Sequence, residues 1–344
     1  MEKTIRVGIN GFGRIGRAFL KLAWDHPEIE VVAVNDLGDV ANMAYLLKYD
    51  TVYRKWDHDI KVDGQNILID DKKIQVLAVK DPTTLPWKDL NIDVVVESTG
   101  LFTTYDKANM HIKAGAKKVV ISAPAKKGED ESIKGETIVL GINEDKFGVT
   151  DVTSNASCTT NAAGPLIAIL HEAVGIEKAA LNTIHAYTGT QAIVDGPSKK
   201  DFRGGRAAAQ NIVPSSTGAA IAVAKVFPAL DGLFDGISMR VPVPSGSIVD
   251  ITFIAKRDTT VEEVNEILKK AGNDPHWSKL FSASDEELVS SDILGESHAC
   301  IADLKMTRVV GGNLVKVLGW YDNEMGYTHT LIDHVIKTGK TIVS

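Results

Sequence analysis

Cysteine is nearly absent from this chain: 344 residues hold two, Cys158 and Cys300. Two thiols cannot build a disulfide framework, so the expected setting is a reducing cytoplasm. No apolar run approaches the ~18 residues that span a bilayer. The opening Met1-Glu2-Lys3-Thr4 leads straight into strand-like residues and leaves no room for a secretory signal. A basic excess is missing as well. The formal net charge is −7, so nucleic acid is not expected as a primary partner. Neither HExxH nor paired CxxC spacing occurs, and no metal is expected. Internal repeats and low-complexity tracts are lacking too. What is there is a globular composition, 44% hydrophobic and 24% charged, over a length that suggests two domains.

Ile5-Arg6-Val7-Gly8-Ile9 reads as a strand, followed at once by Gly11-x-Gly13-x-x-Gly16 and by Ile15, Phe19 and Leu22 at helical spacing. In that context the glycines let backbone approach a dinucleotide closely, and the helix N-terminus faces the pyrophosphate. A second strand covers residues 30–34, and Asp36 lies 20 residues beyond Gly16. A carboxylate there accepts from a ribose 2′-OH and repels a 2′-phosphate, which favours NAD over NADP. The bland alternative is a glycine turn beside a surface aspartate.

Residues 60–79 alternate like strands, with turn signals at Asp63-Gly64 and Asp70-Asp71, and predict an antiparallel excursion. The parallel pattern resumes at Val94-Val95-Val96, a helical stretch near 106–114, and Val119-Val120-Ile121. Ser98-Thr99-Gly100 and Ser122-Ala123-Pro124 directly follow strands, where cofactors lie in open α/β sheets. Later strands are expected at 179–184, 236–243 and 313–320, and helices at 219–226, at 260–271 behind the capping box Thr260-x-x-Glu263, and at 328–337. The last is expected to return to the first domain. Residues 189–212 lack periodicity and gather Lys199, Lys200, Arg203 and Arg206. They form either a solvated loop or a long ordered one whose length hints at function.

Ser154-Asn155-Ala156-Ser157-Cys158-Thr159-Thr160-Asn161 surrounds Cys158 with small hydroxyl and amide side chains, poor material for a core. A helix starting at or just after Cys158 would favour its thiolate through free N–H groups and the positive dipole end. The alternative is a buried cysteine acting as a small hydrophobe. Pro165 leaves two helix starts open, one near Pro165 and one near Cys158 with a kink. His185 ends the apolar run 179–184, and imidazole can take a thiol's proton, although nine histidines make chance a rival explanation. Pro214-Ser215-Ser216-Thr217-Gly218 ahead of a helix offers hydroxyls and N–H groups to an anion. Arg240 sits among Met239, Val241 and Pro242, where a guanidinium needs an anionic ligand or a carboxylate.

Ser157-Cys158-Thr159-Thr160-Asn161, with Asn10-Gly11-Phe12-Gly13-Arg14-Ile15-Gly16-Arg17 before it and Trp320-Tyr321-Asp322-Asn323-Glu324 after it, resembles the phosphorylating glyceraldehyde-3-phosphate dehydrogenases essentially end to end. The resemblance implies a doubly wound Rossmann NAD-binding domain (residues 1–157, joined by the C-terminal helix at about 323–344) and an α+β catalytic domain (158–322). It implies a cytoplasmic homotetramer that oxidises D-glyceraldehyde 3-phosphate with NAD and inorganic phosphate through a cysteine thioester. Cys158 would be the nucleophile and His185 the base. Thr188 and Arg240 would hold the substrate phosphate; Ser157, Thr159, Thr217 and Gly218 would hold the attacking one. Cofactor contacts would fall on Gly11, Phe12, Gly13, Arg14, Ile15, Asp36, Ser122 and Asn323, the last at the nicotinamide carboxamide. Residues 189–212 would pack against a neighbouring subunit, and Asp195-Gly196-Pro197 matches the NAD-using members. The resemblance also favours a helix that begins near Cys158. Two departures stand out: Tyr53-Arg54 replaces the family's usual His-Gly, and Tyr327-Thr328-His329-Thr330-Leu331 differs from the usual run. The nearest rival is erythrose-4-phosphate dehydrogenase, against which Thr217-Gly218 argues. A non-catalytic RNA-binding or scaffolding role is the rival from another class.

Overall fold

The computed structural model describes residues 4–198 and 201–342. It divides into two compact units. Residues up to Ile138, Glu144–Ala156 and the chain from Thr328 on make the first; Val139–Asn143 and Ser157–Tyr327 make the second.

The strands of the first unit are β1 (Ile5–Asn10), β2 (Ile29–Asn35), the short hairpin β3 (Tyr49–Asp50) and β4 (Arg54–Lys55), β5 (Ile60–Asp63), β6 (Asn66–Ile69), β7 (Lys72–Leu77), β8 (Val94–Glu97), β9 (Lys118–Ile121), β10 (Glu136–Thr137) and β11 (Val152–Ser154). One sheet runs β10-β11-β9-β8-β1-β2-β7-β6-β5. Every pair from β10 to β7 is parallel, and β6 and β5 add the antiparallel edge expected from residues 60–79. The runs Val94–Val96 and Val119–Ile121 are buried on consecutive positions, as a parallel sheet covered on both faces requires. Its helices are α1 (Arg14–Ala23), α2 (Val40–Lys48), α3 (Tyr105–Ala108) and α4 (Met110–Lys113). The single helical stretch expected near 106–114 is thus two turns, broken at Asn109. Strand order reverses between β8 and β1, so the loops after these strands diverge and leave a crevice at their C-terminal ends.

The turn between β3 and β4 carries the Tyr53-Arg54 departure. Arg54 holds φ at +67°, the left-handed region that glycine occupies freely. The chain keeps the turn without the glycine, at about 1 kcal/mol of backbone strain.

The second unit holds α5 (Cys158–Val174), β12 (Ile176–Ala186), β13 (Val213–Ser216), α6 (Ala219–Val226), β14 (Phe234–Val241), β15 (Ser247–Ala255), α7 (Val261–Gly272), β16 (Phe281–Ser284), β17 (Cys300–Asp303), β18 (Arg308–Val310) and β19 (Leu314–Tyr321). The sheet runs β13-β14-β12-β15-β19-β17-β16, with β18 against β19. Alternate residues Leu181, Val249, Ile251, Phe253, Val315 and Val317 face Leu166, Leu170, Val223, Val264 and Leu268 from the three helices in one core. α5 crosses Pro165 without ending. An interior proline costs a helix roughly 3 kcal/mol, and complete burial of Leu166, Ile167 and Leu170 around it offsets that cost. In α7, Thr260 caps Glu263 N–H as the sequence expects, but the Glu263 carboxylate turns to Arg257 and Thr259 instead of closing the box.

A last helix, α8 (Met325–Lys340), brings His334 into the first unit. The Thr153 hydroxyl donates to His334 Nε2 (2.8 Å), and Nδ1–H donates to Asn155 Oδ1 (3.1 Å). Burial holds this imidazole neutral, with its pKa lowered to about 3. An unfolded histidine titrates near 6.5, so between those values the unfolded chain binds a proton that the folded chain refuses. Stability therefore falls as pH drops below about 6.5, by about 1.4 kcal/mol per pH unit from this group. Comparing urea midpoints at pH 7.5 and 5.5, His334→Gln should flatten the decline by that amount; an unchanged slope would show that His334 does not drive it.

Candidate active site

Cys158 is the first residue of α5, and Ser157 is its N-cap, accepting from Thr160 N–H at 3.0 Å. The preceding residue, Ala156, is fully buried in the left-handed region with φ at +56°. Non-glycine strain of this kind persists only where surroundings fix it, and the Ser154 hydroxyl accepts the Ala156 N–H while donating to Ala123 O. The sharp turn leaves the half-buried thiol on the helix's positive end.

Parallel register between β12 and β14 pairs His185 directly with Arg240. His185 Nε2 lies 3.4 Å from Cys158 Sγ. On the far side of the ring, Nδ1 is 2.7 Å from Ala186 O and 2.6 Å from Arg240 Nη1. A carbonyl can only accept, so a proton on Nδ1 leaves the Nε2 lone pair facing the thiol. Burial, and then the Arg240 charge, depress this imidazole to about 3. It is an unprotonated base at neutral pH. Burial pushes the Cys158 thiol up, opposed by Arg240 and by hydrogen bonds from Thr159. The pair is therefore thiol plus free imidazole, ready for proton transfer as the sulfur attacks.

With Nδ1 protonated, Arg240 Nη1 donates not to the ring but to Ala186 O at 3.2 Å, and among the described residues no carboxylate pairs with it. Of the two partners the sequence allows it, the structural salt bridge is not formed. A half-buried guanidinium with imidazole and carbonyl neighbours has the chemistry to receive an anion. The other expected anion residues occupy the same unit. Thr188 Oγ1 meets Thr190 Oγ1 at 2.9 Å, Thr217 Oγ1 accepts from Ala219 N–H, and Gly218 is the N-cap of α6 with no side-chain cap. Thr159 and Thr183 hydroxyls share the Tyr321 hydroxyl at 2.9 and 2.8 Å, and that ring stands edge-on to His185. Asn323 Oδ1 accepts from Ser247 Oγ and Gly246 N–H, which orients the amide and leaves its NH2 group to face a carbonyl.

In the first unit, Gly11 holds φ at +95°, and a Cβ on it would fall 2.6 Å from Thr99 N. A Cβ on Gly16 would strike Gly11 O, so both glycines are steric necessities. A Cβ on Gly13 would meet nothing within 4 Å. That open space lies at the N-terminus of α1, which has no side-chain cap and no acid in its first turn. These are the features a pyrophosphate needs, so the residues fit NAD. Ile15 follows in α1's first turn. Asp36 accepts from Phe12 N–H (2.7 Å) and Gly38 N–H (2.9 Å). Ser122 N–H donates to Glu97 O beyond β9. The Arg14 side chain is engaged by Asp50 in a two-pronged ion pair, with Tyr53 beneath it.

The described parts of the loop, 189–198 and 201–212, are tied to each other by Gly196 N–H to Gly205 O, and by Asp195 to Arg206 and Ala207 N–H. Lys199 and Lys200 of its basic cluster lie outside the described residues. Tyr321 and Thr183 are the site residues that sequence reasoning leaves without a role. Their signal is weak: Thr183 sits two residues before His185, on the same strand face, and Tyr321 lies in a motif whose asparagine draws the attention.

Comparison with known proteins bears on this geometry. Residues 5–105 match the family described as glyceraldehyde 3-phosphate dehydrogenase, NAD binding domain, and residues 157–323 match its C-terminal domain. Among similar curated proteins, glyceraldehyde-3-phosphate dehydrogenase 2 of Streptomyces avermitilis is 49% identical over 342 residues, covering 98% of this chain and all of the relative. The Geobacillus stearothermophilus glyceraldehyde-3-phosphate dehydrogenase is 48% identical over 332 residues, covering 96% and 97%. Glyceraldehyde-3-phosphate dehydrogenase B of Aspergillus oryzae is 44% identical over 341 residues, covering 98% and 100%.

Cys300 contrasts with Cys158. It is wholly buried in the core on β17, and burial alone pushes its thiol up. Iodoacetamide followed by peptide mass spectrometry should mark Cys158 first. Cys158→Ser should lose nearly all aldehyde oxidation, while Cys300→Ser should retain most of it despite about 1–3 kcal/mol of lost stability from a buried hydroxyl. Equal losses in both variants would overturn the assignment.

Proposed function

The chain belongs to the glyceraldehyde 3-phosphate dehydrogenase family, and from that premise we propose that Cys158 and His185 carry its chemistry. The protein is an NAD-dependent oxidoreductase that converts D-glyceraldehyde 3-phosphate and inorganic phosphate to 1,3-bisphosphoglycerate. The relatives' names favour this substrate over erythrose 4-phosphate. One observation carries the residue assignment: a thiol at a helix N-terminus, 3.4 Å from an imidazole nitrogen whose opposite nitrogen is committed to a carbonyl.

Cys158 Sγ adds to the aldehyde carbon, and its proton passes to His185 Nε2. His185 Nε2 hands that proton to the alkoxide so formed, giving the thiohemiacetal hydroxyl, and is free to take it back as the carbon is oxidised. NAD, when bound, supplies the hydride acceptor that makes this an oxidation. Gly11, Phe12, Gly13, Arg14 and Ile15 would seat its pyrophosphate end, and Asp36 its ribose. Ser122 would line the crevice, and the Asn323 amide would hold the carboxamide. The product on the protein is a Cys158 thioester. Inorganic phosphate, held by Ser157, Thr159, Thr217 and Gly218, attacks the acyl carbon, and the thiolate leaves. The substrate's own phosphate rests on Arg240 and Thr188.

The working form is proposed to be a cytoplasmic homotetramer. Two features support assembly. The second unit's sheet is covered by helices on one face, while Ile237 and Leu314 stay exposed on the other. Loop 189–212 presents Ile193, Val194 and Phe202 to solvent, Phe202 at 94% exposure, which a second copy of the chain would cover. Among the described residues, no helix is long and apolar enough to cross a membrane.

Arg240→Leu tests the division between the two anion sites. It should lower kcat/KM for glyceraldehyde 3-phosphate by about one to two decades, the worth of a charge-assisted hydrogen bond, and barely affect unphosphorylated glyceraldehyde. Thr217→Val should instead raise the KM for phosphate. Equal impairment of both aldehydes by Arg240→Leu would make Arg240 a structural residue.

A further inference from the structure

Beneath the glycine turn of the first unit lies a buried polar chain that the reaction does not use. Glu97, the last residue of β8, is 1% exposed, and Asn10, Asn35, His111 and Trp87 are all buried around it. Two donor-only groups fix every hydrogen in this chain. At one end Val79 N–H donates to Asn35 Oδ1 (2.9 Å), so Asn35 Nδ2 donates to Asn10 Oδ1 (2.7 Å), and Asn10 Nδ2 must donate to Glu97 Oε2 (2.6 Å). At the other end Trp87 Nε1–H donates to His111 Nδ1 (3.0 Å), so the imidazole proton sits on Nε2 and points at the same Oε2 (3.1 Å). The second carboxylate oxygen accepts the Thr99 N–H (2.8 Å) and hydroxyl. Four donors converge on one side chain.

The residues so held are those against which the turn is built. Ser98 N–H donates to Asn10 O, its hydroxyl to Gly11 O (2.7 Å), and Gly11 N–H to Asn35 O. Gly11 packs so closely on Thr99 N that no Cβ fits between them. A shift of Thr99 or Asn10 is therefore a shift of Gly11 to Gly13. We infer that Glu97 is a positioning residue for NAD binding, setting the backbone of the Gly11–Gly13 turn through Asn10 and Thr99. This rests on the reading that the turn seats the cofactor.

The isostere Glu97→Gln separates shape from hydrogen-bond polarity. Its NH2 would face either Asn10 and His111 or the Thr99 N–H, donors that cannot reverse. Calorimetric titration of the full-length protein should show NAD binding about tenfold weaker or worse, with kcat at saturating NAD within about twofold of wild type, since Cys158 and His185 are untouched. The double variant Asn10→Asp/Glu97→Gln exchanges acid and amide. The amide now at position 97 then donates to the carboxylate now at position 10, and Asn35 still donates to that carboxylate. His111 Nε2–H has an oxygen of the same carboxylate 3.4 Å away, where the Asn10 nitrogen stood. The double variant should recover most of the lost affinity, and soluble yield if the single variant folds poorly. NAD affinity within twofold of wild type in Glu97→Gln, or a double variant no better than the single, would overturn the inference. Gly13→Asp guards the underlying reading. Its side chain has room and places a charge where pyrophosphate would sit, so undiminished NAD binding there would sink the turn's assignment itself.

Discussion

The chemistry proposed for this protein depends on one cross-strand contact, His185 against Arg240. Two neighbouring strands place a half-buried permanent cation against the rear nitrogen of a buried imidazole. The Ala186 carbonyl can only accept, so with Nδ1–H donated to it the ring's front nitrogen is a base aimed at Cys158, and the nearby cation disfavours a second proton on the ring. The same cation, lacking a carboxylate partner, is left to attract an anion. Burial already keeps the base unprotonated, with the guanidinium adding to it, and in the proposed reading that guanidinium seats the substrate's phosphate.

The second constraint is backbone geometry at strand ends. In the first unit, Gly11 and Gly16 tolerate approaches that no other side chain permits, and their uncapped helix is free to meet a phosphate. Where the chain leaves that unit, Ala156 holds a left-handed turn, and the next helix begins on the cysteine. In the proposed reading both units use a helix N-terminus, once for a cofactor's phosphates and once for a thiol. The acidic net charge is no obstacle, because these sites present backbone dipoles and a single arginine at short range, while the bulk charge is screened beyond about 8 Å at physiological salt.

Much of this was legible in the sequence because the signals are local. Val/Ile runs, the glycine spacing, the Asp63-Gly64 hairpin and the Thr260 cap each specify their structure within a few residues. The start of α5 was not, since Pro165 pulls the local argument toward a later start and only burial of the surrounding leucines and isoleucines overrules it. The grouping of residues 139–143 with the second unit is a tertiary outcome that composition does not mark. Arg14 reads as a cofactor residue by motif, yet its side chain is taken by Asp50, a pairing across 36 positions. Glu97, His111 and Trp87 look unrelated in sequence, and only the sheet brings them into one chain of donors. Arg54 shows the reverse: a residue the local rule would reject, kept because the surrounding hairpin holds the turn.

The most direct test is to mix NAD-loaded protein rapidly with glyceraldehyde 3-phosphate in the absence of phosphate. A thioester on Cys158 formed by His185-assisted attack predicts a burst of about one NADH per chain. The acyl mass should appear on the Cys158 peptide, and phosphate should release it. A steady rate with no burst, or an acyl group on any other residue, would contradict the account.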